Sequence, residues 1–414
     1  MEVSRPRIVG PVTVGHGVNE FFAIVIPPII PLLVTELDIT YGQAGFLLTI
    51  FFVMYSIFQL PAGILADWIG KKRLLIAGLF GMSAGILLAS LATSYWMLLL
   101  AQAIAGIGGS TFHPTGMSMI SDVETGRTEG KAMGVFGFGG VLGTLSAPVV
   151  VGGVAAVAGW RIALVAAVVL GFTMTVVLIY LFSDSKGDDT DDDAPDRNRL
   201  TGSTRPRVRD ALVSIKNLFD VPITRGIVIL FFVTMILSLQ HRAIQTFTTA
   251  YITEQTGASV SIGNVTFFAL LLGGSVSSLW AGSLADRFNR ESLGIVAATG
   301  TAVLVGMTLL VTQILETVPF EILIAILSVW FALIGMAMYA SYPVKNALIS
   351  EQANASYSGS LFGITQTASA LGSASGPALF GILATQWGVV AAFPAIAAVS
   401  VLLAVLFALL LRTE

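Results

Sequence analysis

The chain reads GILADWIGKKR at residues 63–73 and GSLADRFNR at residues 282–290. Both stretches follow a long apolar run, share the pattern Gly-x-Leu-Ala-Asp and continue into basic residues. Their aspartates, Asp67 and Asp286, therefore occupy equivalent places in the two halves of the chain. The same short pattern at the same place in each half indicates an internal duplication.

A second set of matches supports the duplication. Four residues of one apolar run recur in a later run in the same order and at one constant offset. A parallel repeat of six spans predicts a substrate site between the halves, near the middle of the bilayer. The matched pairs are Gly130 with Gly359, Gly134 with Gly363, Gly143 with Gly372, and Pro148 with Pro377.

Composition places the chain in a membrane. Of its 414 residues, 55% are hydrophobic and 11% are charged, and the mean hydropathy is +0.87; a soluble protein carries about 25% charged residues. Cysteine is absent, which excludes disulfides, thiolate nucleophiles and zinc-thiolate sites. The apolar run from Ile8 to Val34 is too long for a signal-peptide core, so we expect it to be retained as the first span.

Twelve apolar runs are long enough to cross about 30 Å of hydrocarbon. Because backbone groups in lipid must be paired within a helix or a closed barrel, these long runs predict an all-α membrane protein. We therefore expect two six-helix pseudo-repeats, residues 1–182 and 223–414, joined by a cytoplasmic linker at 183–222. The runs start near residues 9, 42, 73, 95, 131, 160, 224, 262, 292, 320, 358 and 389.

The linker changes from acidic to basic along its length. Val208, Leu212, Ile215 and Phe219 recur at helical spacing beside basic residues, which predicts an amphipathic helix on the inner membrane surface. A solvated linker helix is the alternative.

Basic residues fall on one side of the predicted spans. Loops rich in Arg and Lys stay in the cytoplasm, so both termini are predicted to be cytoplasmic, in the cell membrane of a prokaryote; arginine richness and the acidic linker hint at a halophile. Arg161 is the one exception. The residues that set the orientation are Arg5, Arg7, Lys71, Lys72, Arg73, Arg127, Lys131, Arg287, Arg290 and Arg412.

The Gly63 to Arg73 loop resembles the loop signature of the major facilitator superfamily, and the Gly282 to Arg290 stretch looks like its second-half counterpart. Span 5 is similar to the proline-glycine motif of antiporters in that superfamily, with Ala147 in place of the usual glycine. The resemblance implies the major facilitator fold and transport by rocking of the two halves.

A narrower resemblance concerns spans 1 and 4. His16, Asn19 and Glu20, together with the stretch from Gly108 to Pro114, look like the corresponding segments of fosmidomycin-resistance-type exporters. That resemblance implies proton-coupled export of a drug or metabolite. Glu20 stands where that family has Asp.

Glu20 is the one acidic residue deep in a span. It lies about eleven residues into the first helix, roughly 17 Å along it at 1.5 Å per residue. Desolvation there penalises the charged carboxylate, so the group could load and release a proton as the cavity opens to each side. The alternative is a helix-packing group that stays protonated.

All three histidines, His16, His113 and His241, also lie inside spans. His16 precedes Glu20 by four residues, so both project from one helical face. His16 and His241 are separated by nearly the same interval as the other matches between the halves, which suggests a repeat-related pair. We assign Glu20, His16 and His241 to proton coupling; for His113 the alternative is that it stabilises a kink beside Pro114.

Arg242 is the one arginine deep in a span, and its charge is permanent. A fixed positive charge in a cavity attracts an anion, either Glu20 in the empty protein or a phosphonate, phosphate or carboxylate on a substrate. The alternative is that Arg242 extends to the outer headgroups, as Lys345 is expected to do at the inner ones.

Other polar side chains at span depth could complete a binding site, although hydrogen bonding between helices explains them equally well. Aromatic residues such as Phe136, Tyr339 and Tyr342 could line the cavity. The predicted substrate-binding residues are Arg242, Asn19, His113, Gln240, Gln245 and Gln366.

The residues at the cytoplasmic helix ends are predicted to act in gating. A carboxylate there can accept hydrogen bonds from a facing helix N-terminus and form a latch that opens in the inward-open state. Glycines in spans 5 and 11 allow helices to approach and slide. The gating set is Asp67, Gly70, Lys71, Arg73, Asp286, Arg290, Gly143, Pro148, Gly372 and Pro377.

These patterns predict a secondary transporter that exports a small anionic or zwitterionic molecule against protons. No phosphate-binding loop or zinc-protease motif is present, so we expect no enzyme activity, no cofactor, no metal site and no nucleic-acid partner. The expected partners are a small-molecule substrate, protons and the lipid bilayer, and the expected state is a monomer. The alternatives are a proton- or sodium-coupled uptake symporter of an organic anion and a membrane sensor that does not transport.

Overall fold

The computed structural model of the protein describes residues 5–125, 127–184, 223–353 and 358–412. Within these ranges, eleven helices are long and apolar enough to cross a membrane. One of them, Arg127–Asp184, supplies two crossings, because Gly159 reverses its direction with φ 81° and ψ 163°. The predicted all-α architecture of twelve spans is therefore confirmed.

The first half contains spans 1 to 6, and two of these are interrupted. Span 1 breaks at consecutive prolines, and span 4 breaks after Gly109. The bounds are Pro6–Ala23, Pro27–Ile29 and Ile30–Leu37 for span 1, Tyr41–Ile69 for span 2, Lys71–Ser90 for span 3, Tyr95–Gly109 and Phe112–Ser121 for span 4, and the two arms of Arg127–Asp184 for spans 5 and 6.

The second half contains spans 7 to 12, which are continuous helices. The predicted linker lies outside the described residues from position 185 to position 222, so its amphipathic helix stays a prediction. The bounds are Arg225–Thr256 for span 7, Val260–Ala285 for span 8, Arg290–Ile314 for span 9 with a short turn at Leu315–Thr317, Phe320–Gln352 for span 10, Ser358–Trp387 for span 11 and Val389–Leu411 for span 12.

The duplication extends to the backbone conformation of the turns. Gly159 and Gly388, which stand at the same offset as the matched glycines of spans 5 and 11, both have positive φ, at 81° and 87°. Asp38 and Gly257, which stand at the same offset as the aspartates of the duplicated loops, both end their helices in the left-handed conformation. Since this conformation favours glycine and tolerates aspartate, each turn keeps the residue type that its geometry requires.

Glycines permit backbone contact between helices within each half. Gly143 of span 5 packs against the carbonyl of Gly17 in span 1, and Gly372 of span 11 packs against the carbonyl of Met235 in span 7. A side chain at either position would collide with that backbone. The repeat-related glycines thus hold spans 1 and 5, and spans 7 and 11, in direct contact.

Spans 1 and 7 are the most enclosed helices of the described chain. In each, 72% of the most apolar window is buried, against 28–56% in the other spans. Glu20 and Arg242 lie on these two helices. The fold therefore places the two deepest charges at the centre of the bundle rather than at its lipid-facing surface.

Candidate functional site

A cavity of about 1100 Å³ lies between the two halves. Spans 1, 2, 4 and 5 line it from the first half, and spans 7, 8, 10 and 11 line it from the second. Along span 2 the lining continues through Gln59 and Gly63 to Asp67, so the cavity reaches the side of the bundle that carries both chain ends, here called the terminal side. Its volume suits a drug-sized molecule.

On the opposite side the two halves are in direct contact. Gly45 of span 2 packs against the carbonyl of Pro377 in span 11 with no room for a side chain. Hydrogen bonds between described residues also join the halves, so the cavity is closed on this side. They run from Gly42 N to Thr385 Oγ1 at 2.7 Å, from Thr49 Oγ1 to the Ala374 carbonyl at 2.6 Å and from Asn264 Nδ2 to the Pro28 carbonyl at 3.0 Å.

The first half brings three ionisable side chains together at the cavity. Glu20 Oε1 lies 3.8 Å from His16 Nε2 and 3.8 Å from His113 Nε2. The His16 side chain is buried, whereas those of Glu20 and His113 are 22% and 36% exposed. The two imidazole rings meet edge to face with 4.8 Å between centroids. A carboxylate flanked by two imidazoles can exchange a proton with either.

Local structure explains how these side chains converge. Helical spacing places His16 and Glu20 on one face of span 1. Span 4 restarts at Phe112 after its break, and His113 follows in the first turn. Gly140 of span 5 lacks a side chain and so leaves space for the His16 ring, which stacks on Phe136 with 3.9 Å between centroids.

Asn19 lies behind this cluster rather than at the cavity wall, so its predicted substrate contact is absent from the structure. It is 1% exposed, because its Nδ2 donates to the Gly109 carbonyl at 3.1 Å. The Tyr55 hydroxyl donates to Asn19 Oδ1 at 3.4 Å and also lies 2.6 Å from His113 Nδ1. Asn19 therefore positions Tyr55, which in turn positions His113.

The second half places Arg242 at the cavity. Its guanidinium donates to Gln245 Oε1 at 2.9 Å, and Gln245 Nε2 donates to the Tyr339 hydroxyl at 2.9 Å. The Cζ atom lies 4.3 Å from the ring centroid of Phe52, which belongs to the first half. Among the described residues no carboxylate forms an ion pair with Arg242, Glu20 included. Its charge is available to an anion in the cavity.

His241 also lines the cavity, but in different surroundings from His16. Its ring packs between Tyr339 and Tyr342, with centroid separations of 4.6 Å and 5.1 Å. Its Nδ1 atom is buried and has no hydrogen-bond partner among the described residues. The structure thus brings His16 and His113 to Glu20, while His241 remains beside Arg242 on the other half.

The predicted glutamines divide into two groups. Gln245 and Gln366 line the cavity, in agreement with the expected location. Gln240 is 1% exposed, does not line the cavity, and has neither side-chain atom hydrogen-bonded within the described chain. The structure therefore does not support substrate contact by Gln240, because its position on span 7 turns it into the helix packing.

The gating residues form ion pairs within each half rather than across the halves. Lys71 Nζ lies 2.6 Å from Asp122 Oδ2, and Arg290 donates to Glu351 Oε2 at 2.7 Å. These pairs are repeat-related. The first joins the start of span 3 to the end of span 4, and the second joins the start of span 9 to the end of span 10. Asp67, Asp286 and Arg73 are exposed, and Gly70 turns the chain with φ 93°. Among the described residues Asp67 and Asp286 form no latch, and the latch was predicted to open in a state whose cavity reaches this side.

Two other basic residues depart from simple expectation. Lys345 is 7% exposed, with Nζ 5.4 Å from the Tyr342 ring centroid, so the expectation that it reaches the headgroups is wrong. Its helix faces protein at that point. Arg161, the exception to the charge rule, donates to Glu36 Oε2 at 3.0 Å, and this pairing compensates its charge on the opposite side.

Sequence reasoning missed two residues of the site, Tyr55 and Phe52. Tyr55 is 9% exposed, and its hydroxyl forms a hydrogen bond with His113. The guanidinium of Arg242 packs against the face of the Phe52 ring. One signal was available for Tyr55: a tyrosine inside an apolar span needs a hydrogen-bond partner. Nothing in the sequence distinguishes Phe52 from its neighbour Phe51.

Comparison with known proteins agrees with this architecture. The sequence model of the Major Facilitator Superfamily matches residues 12–314 and again 230–414. The multidrug resistance protein MdtG of Citrobacter koseri is 27% identical over 381 residues, covering 88% of this chain and 85% of that protein. MdtG of Escherichia fergusonii is 26% identical over 378 residues, with 88% and 85% covered.

Solved structures of the same fold are also similar. The crystal structure of a bacterial homolog to the human lysosomal transporter Spinster, inward-facing and unoccupied, superposes with a TM-score of 0.78 at 14% identity, covering 99% of this chain and 97% of that one. Three observations support the same conclusion. They are the architecture of two halves, the central cavity that is open at one end and closed at the other, and the family match. The chain belongs to the major facilitator superfamily and is a multi-pass membrane transporter, not an enzyme.

Proposed function

We propose that the protein couples proton movement to the export of a small zwitterionic or anionic organic molecule across a bacterial inner membrane. The observation that carries the proposal is the arrangement of charge in one cavity. A carboxylate between two imidazoles lies on the first half, and an arginine that no carboxylate of the described residues pairs with lies on the second. One group can carry a proton, and the other can bind an anion.

Charge balance favours a zwitterion for antiport. Its anionic end would pair with the Arg242 guanidinium, and its cationic end with the deprotonated Glu20 carboxylate. A proton arriving at Glu20 then removes the attraction for the cationic end and promotes release. A purely anionic substrate would instead bind best with Glu20 neutral, so the proton and the substrate would move together.

Three further points support export and the orientation. The MdtG relatives are named as multidrug resistance proteins, and their names favour efflux. The excess of basic residues on the terminal side favours cytoplasmic termini. The cavity reaches that side through Asp67, so in this state the site would accept its substrate from the cytoplasm.

The test is proton flux in proteoliposomes, read with an internal pH dye while zwitterions, organic anions and organic cations are added in turn. We expect zwitterions to evoke a pH change whose sign corresponds to antiport. Glu20→Gln should abolish this change and leave counterflow exchange of the same substrate measurable. Glu321→Gln, an exposed carboxylate at the start of span 10, is the matched control and should behave as wild type.

Other outcomes would contradict the proposal in distinct ways. Gradient-driven transport that is unchanged in Glu20→Gln would remove that carboxylate from coupling. A pH change of the opposite sign would establish symport. Binding of a ligand without any flux in vesicles would favour a sensor.

A further inference from the structure

The cluster at the first half has a feature that proton transfer alone does not require. His16, Glu20 and His113 each offer one ligand atom, and these atoms lie within 4.8 Å of one another. Both separations from Glu20 Oε1 to the Nε2 atoms are 3.8 Å. In a tetrahedral zinc site with bonds of 2.0–2.1 Å, ligand atoms are about 3.4 Å apart. The two Glu20 separations are within about half an ångström of that spacing, whereas the widest separation in the set is 4.8 Å. Binding one metal ion therefore requires the two histidine rings to approach each other by somewhat more than about 1 Å.

The hydrogen-bond partner of His16 determines which of its nitrogens carries the proton. Nδ1 lies 2.7 Å from the Phe136 carbonyl oxygen, and a carbonyl only accepts, so Nδ1 is the donor. In the neutral ring Nε2 then has a free lone pair. That Nε2 atom is buried, has no hydrogen-bond partner within the described part of the chain and lies 3.8 Å from Glu20 Oε1. In histidines that bind metals, the ring nitrogen that does not bind the metal typically donates a hydrogen bond to a nearby acceptor.

A longer series of hydrogen bonds places the proton of His113 on Nδ1 as well. Asn19 Nδ2 donates to the Gly109 carbonyl, which leaves Oδ1 as an acceptor for the Tyr55 hydroxyl. The Tyr55 hydroxyl has one proton, which it donates to Asn19 Oδ1. In its 2.6 Å contact with His113 the Tyr55 oxygen therefore accepts a hydrogen bond from His113 Nδ1. This assignment satisfies every bond in the chain and leaves the His113 Nε2 lone pair facing Glu20.

Two imidazole lone pairs and one carboxylate thus converge with no hydrogen between them. Such a set of acceptors needs a cation. A proton can join only two of the three atoms at hydrogen-bond distance, whereas a divalent metal ion can bind all three. Zinc sites built from two histidines and one glutamate are well known, and imidazole ligands suit first-row transition metals.

We propose that His16, Glu20 and His113 form a binding site for a divalent transition-metal ion, with Zn²⁺ the best match to two imidazoles and one carboxylate. All three side chains line the cavity, so the remaining coordination position faces it and is open to water or to an anionic ligand.

The surroundings orient both histidine rings toward Glu20 before a metal arrives. The Phe136 ring stacks on the His16 ring, and the Phe136 main-chain carbonyl accepts a hydrogen bond from His16 Nδ1. Tyr55, held by Asn19, orients His113. Loss of such supporting groups lowers metal affinity about 10–100-fold in known sites. Tyr55→Phe should therefore weaken binding while leaving all three ligands in place.

The chain is well suited to a direct binding test, since it has three histidines and no cysteine and offers few background ligands. The full-length protein would be purified in detergent with a tag that lacks histidine, and titrated with Zn²⁺ by calorimetry. Co²⁺ substitution would be followed by visible absorption, which reports the coordination geometry. We expect one Zn²⁺ per chain.

Variants separate this site from nonspecific binding. His113→Gln and Glu20→Gln should each lower the affinity at least about tenfold and change the Co²⁺ spectrum. His241→Gln, the third histidine, is the matched control and should bind as wild type, because no carboxylate pairs with it among the described residues. Metal-free melting temperatures verify that each variant is folded.

Two results would overturn the proposal: no stoichiometric Zn²⁺ binding at submillimolar concentration, or equal losses in His241→Gln and His113→Gln. The inference goes beyond the proposed transport function and does not depend on it. The titration uses no ion gradient, so its failure would leave proton coupling intact, and a failed flux assay would not affect the binding result.

Discussion

The guanidinium of Arg242 lies against the ring of Phe52, with 4.3 Å between Cζ and the ring centroid, and the two residues come from different halves of the protein. Both residues line the central cavity, as do Glu20, His16 and His113. The contact therefore links the charge of Arg242 to the relative position of the two halves. A cation over an aromatic face is worth about 0.5–2 kcal/mol.

Replacing Phe52 with Leu should lower the population of the state in which the terminal side is open, by roughly 2–30-fold. The leucine keeps an apolar side chain but has no aromatic face. The chain has no cysteine of its own, so Ile64→Cys at the cavity wall can report accessibility by maleimide labelling. An equal drop in labelling when Phe52→Leu is made in an Arg242→Gln background would show that the cation–π contact is not the cause.

Arg242→Ala should weaken the binding of anionic ligands roughly 10–100-fold and leave neutral ligands almost unaffected. A hydrogen bond to a charged group is worth about 1.5–3 kcal/mol, and the variant removes that interaction only from ligands that carry an anion. Arg225→Ala, at the exposed start of the same helix, is the control. Equal losses for charged and neutral ligands in calorimetry would indicate a structural role for Arg242.

A disulfide between Gly42→Cys and Thr385→Cys should stop transport reversibly. A side chain at Gly42 would begin 3.2 Å from Thr385 Oγ1, which is close enough for a disulfide. The bond would hold the halves together on the side that is already closed. Transport should fall on oxidation and return with a reducing agent. Transport by each single variant should be unaffected by either treatment. Full activity of the oxidised double variant would mean that this side need not open.

Gly143→Ala should destabilise the protein by about 1–3 kcal/mol, the usual cost of overpacking, because its side chain would meet the Gly17 carbonyl. Gly134→Ala is the matched control on the same span, since open space surrounds that position. Thermal unfolding in detergent should show a lower melting temperature for the first variant only. If both melt as wild type does, spans 1 and 5 are not held by backbone contact.

Several features were predictable because they depend on properties that are local or repeated. The hydrophobic runs determine the number of spans, and the matched Asp67 and Asp286 segments indicate the duplication. The scarcity of charge within the spans is enough to single out Glu20 and Arg242, since an ionisable residue at that depth is costly and usually faces a cavity.

Helical spacing also predicted that His16 and Glu20 share a face, and the structure places them 3.8 Å apart. His241 was grouped with them by its repeat position, yet it lies between Tyr339 and Tyr342. Repeat symmetry relates positions in the two halves. It does not state which side chains of one half meet those of the other.

The sequence by itself determined the class of fold, the two halves and the identity of the two charges deep in the spans, Glu20 and Arg242. Only the tertiary structure decided that His113 meets Glu20, that Tyr55 holds His113, that Phe52 carries Arg242 and that Lys345 faces protein. The physical reason is that lipid is as apolar as the interior of a helix bundle. Hydrophobic patterning can therefore place a residue within the membrane, but close packing between helices selects its neighbours.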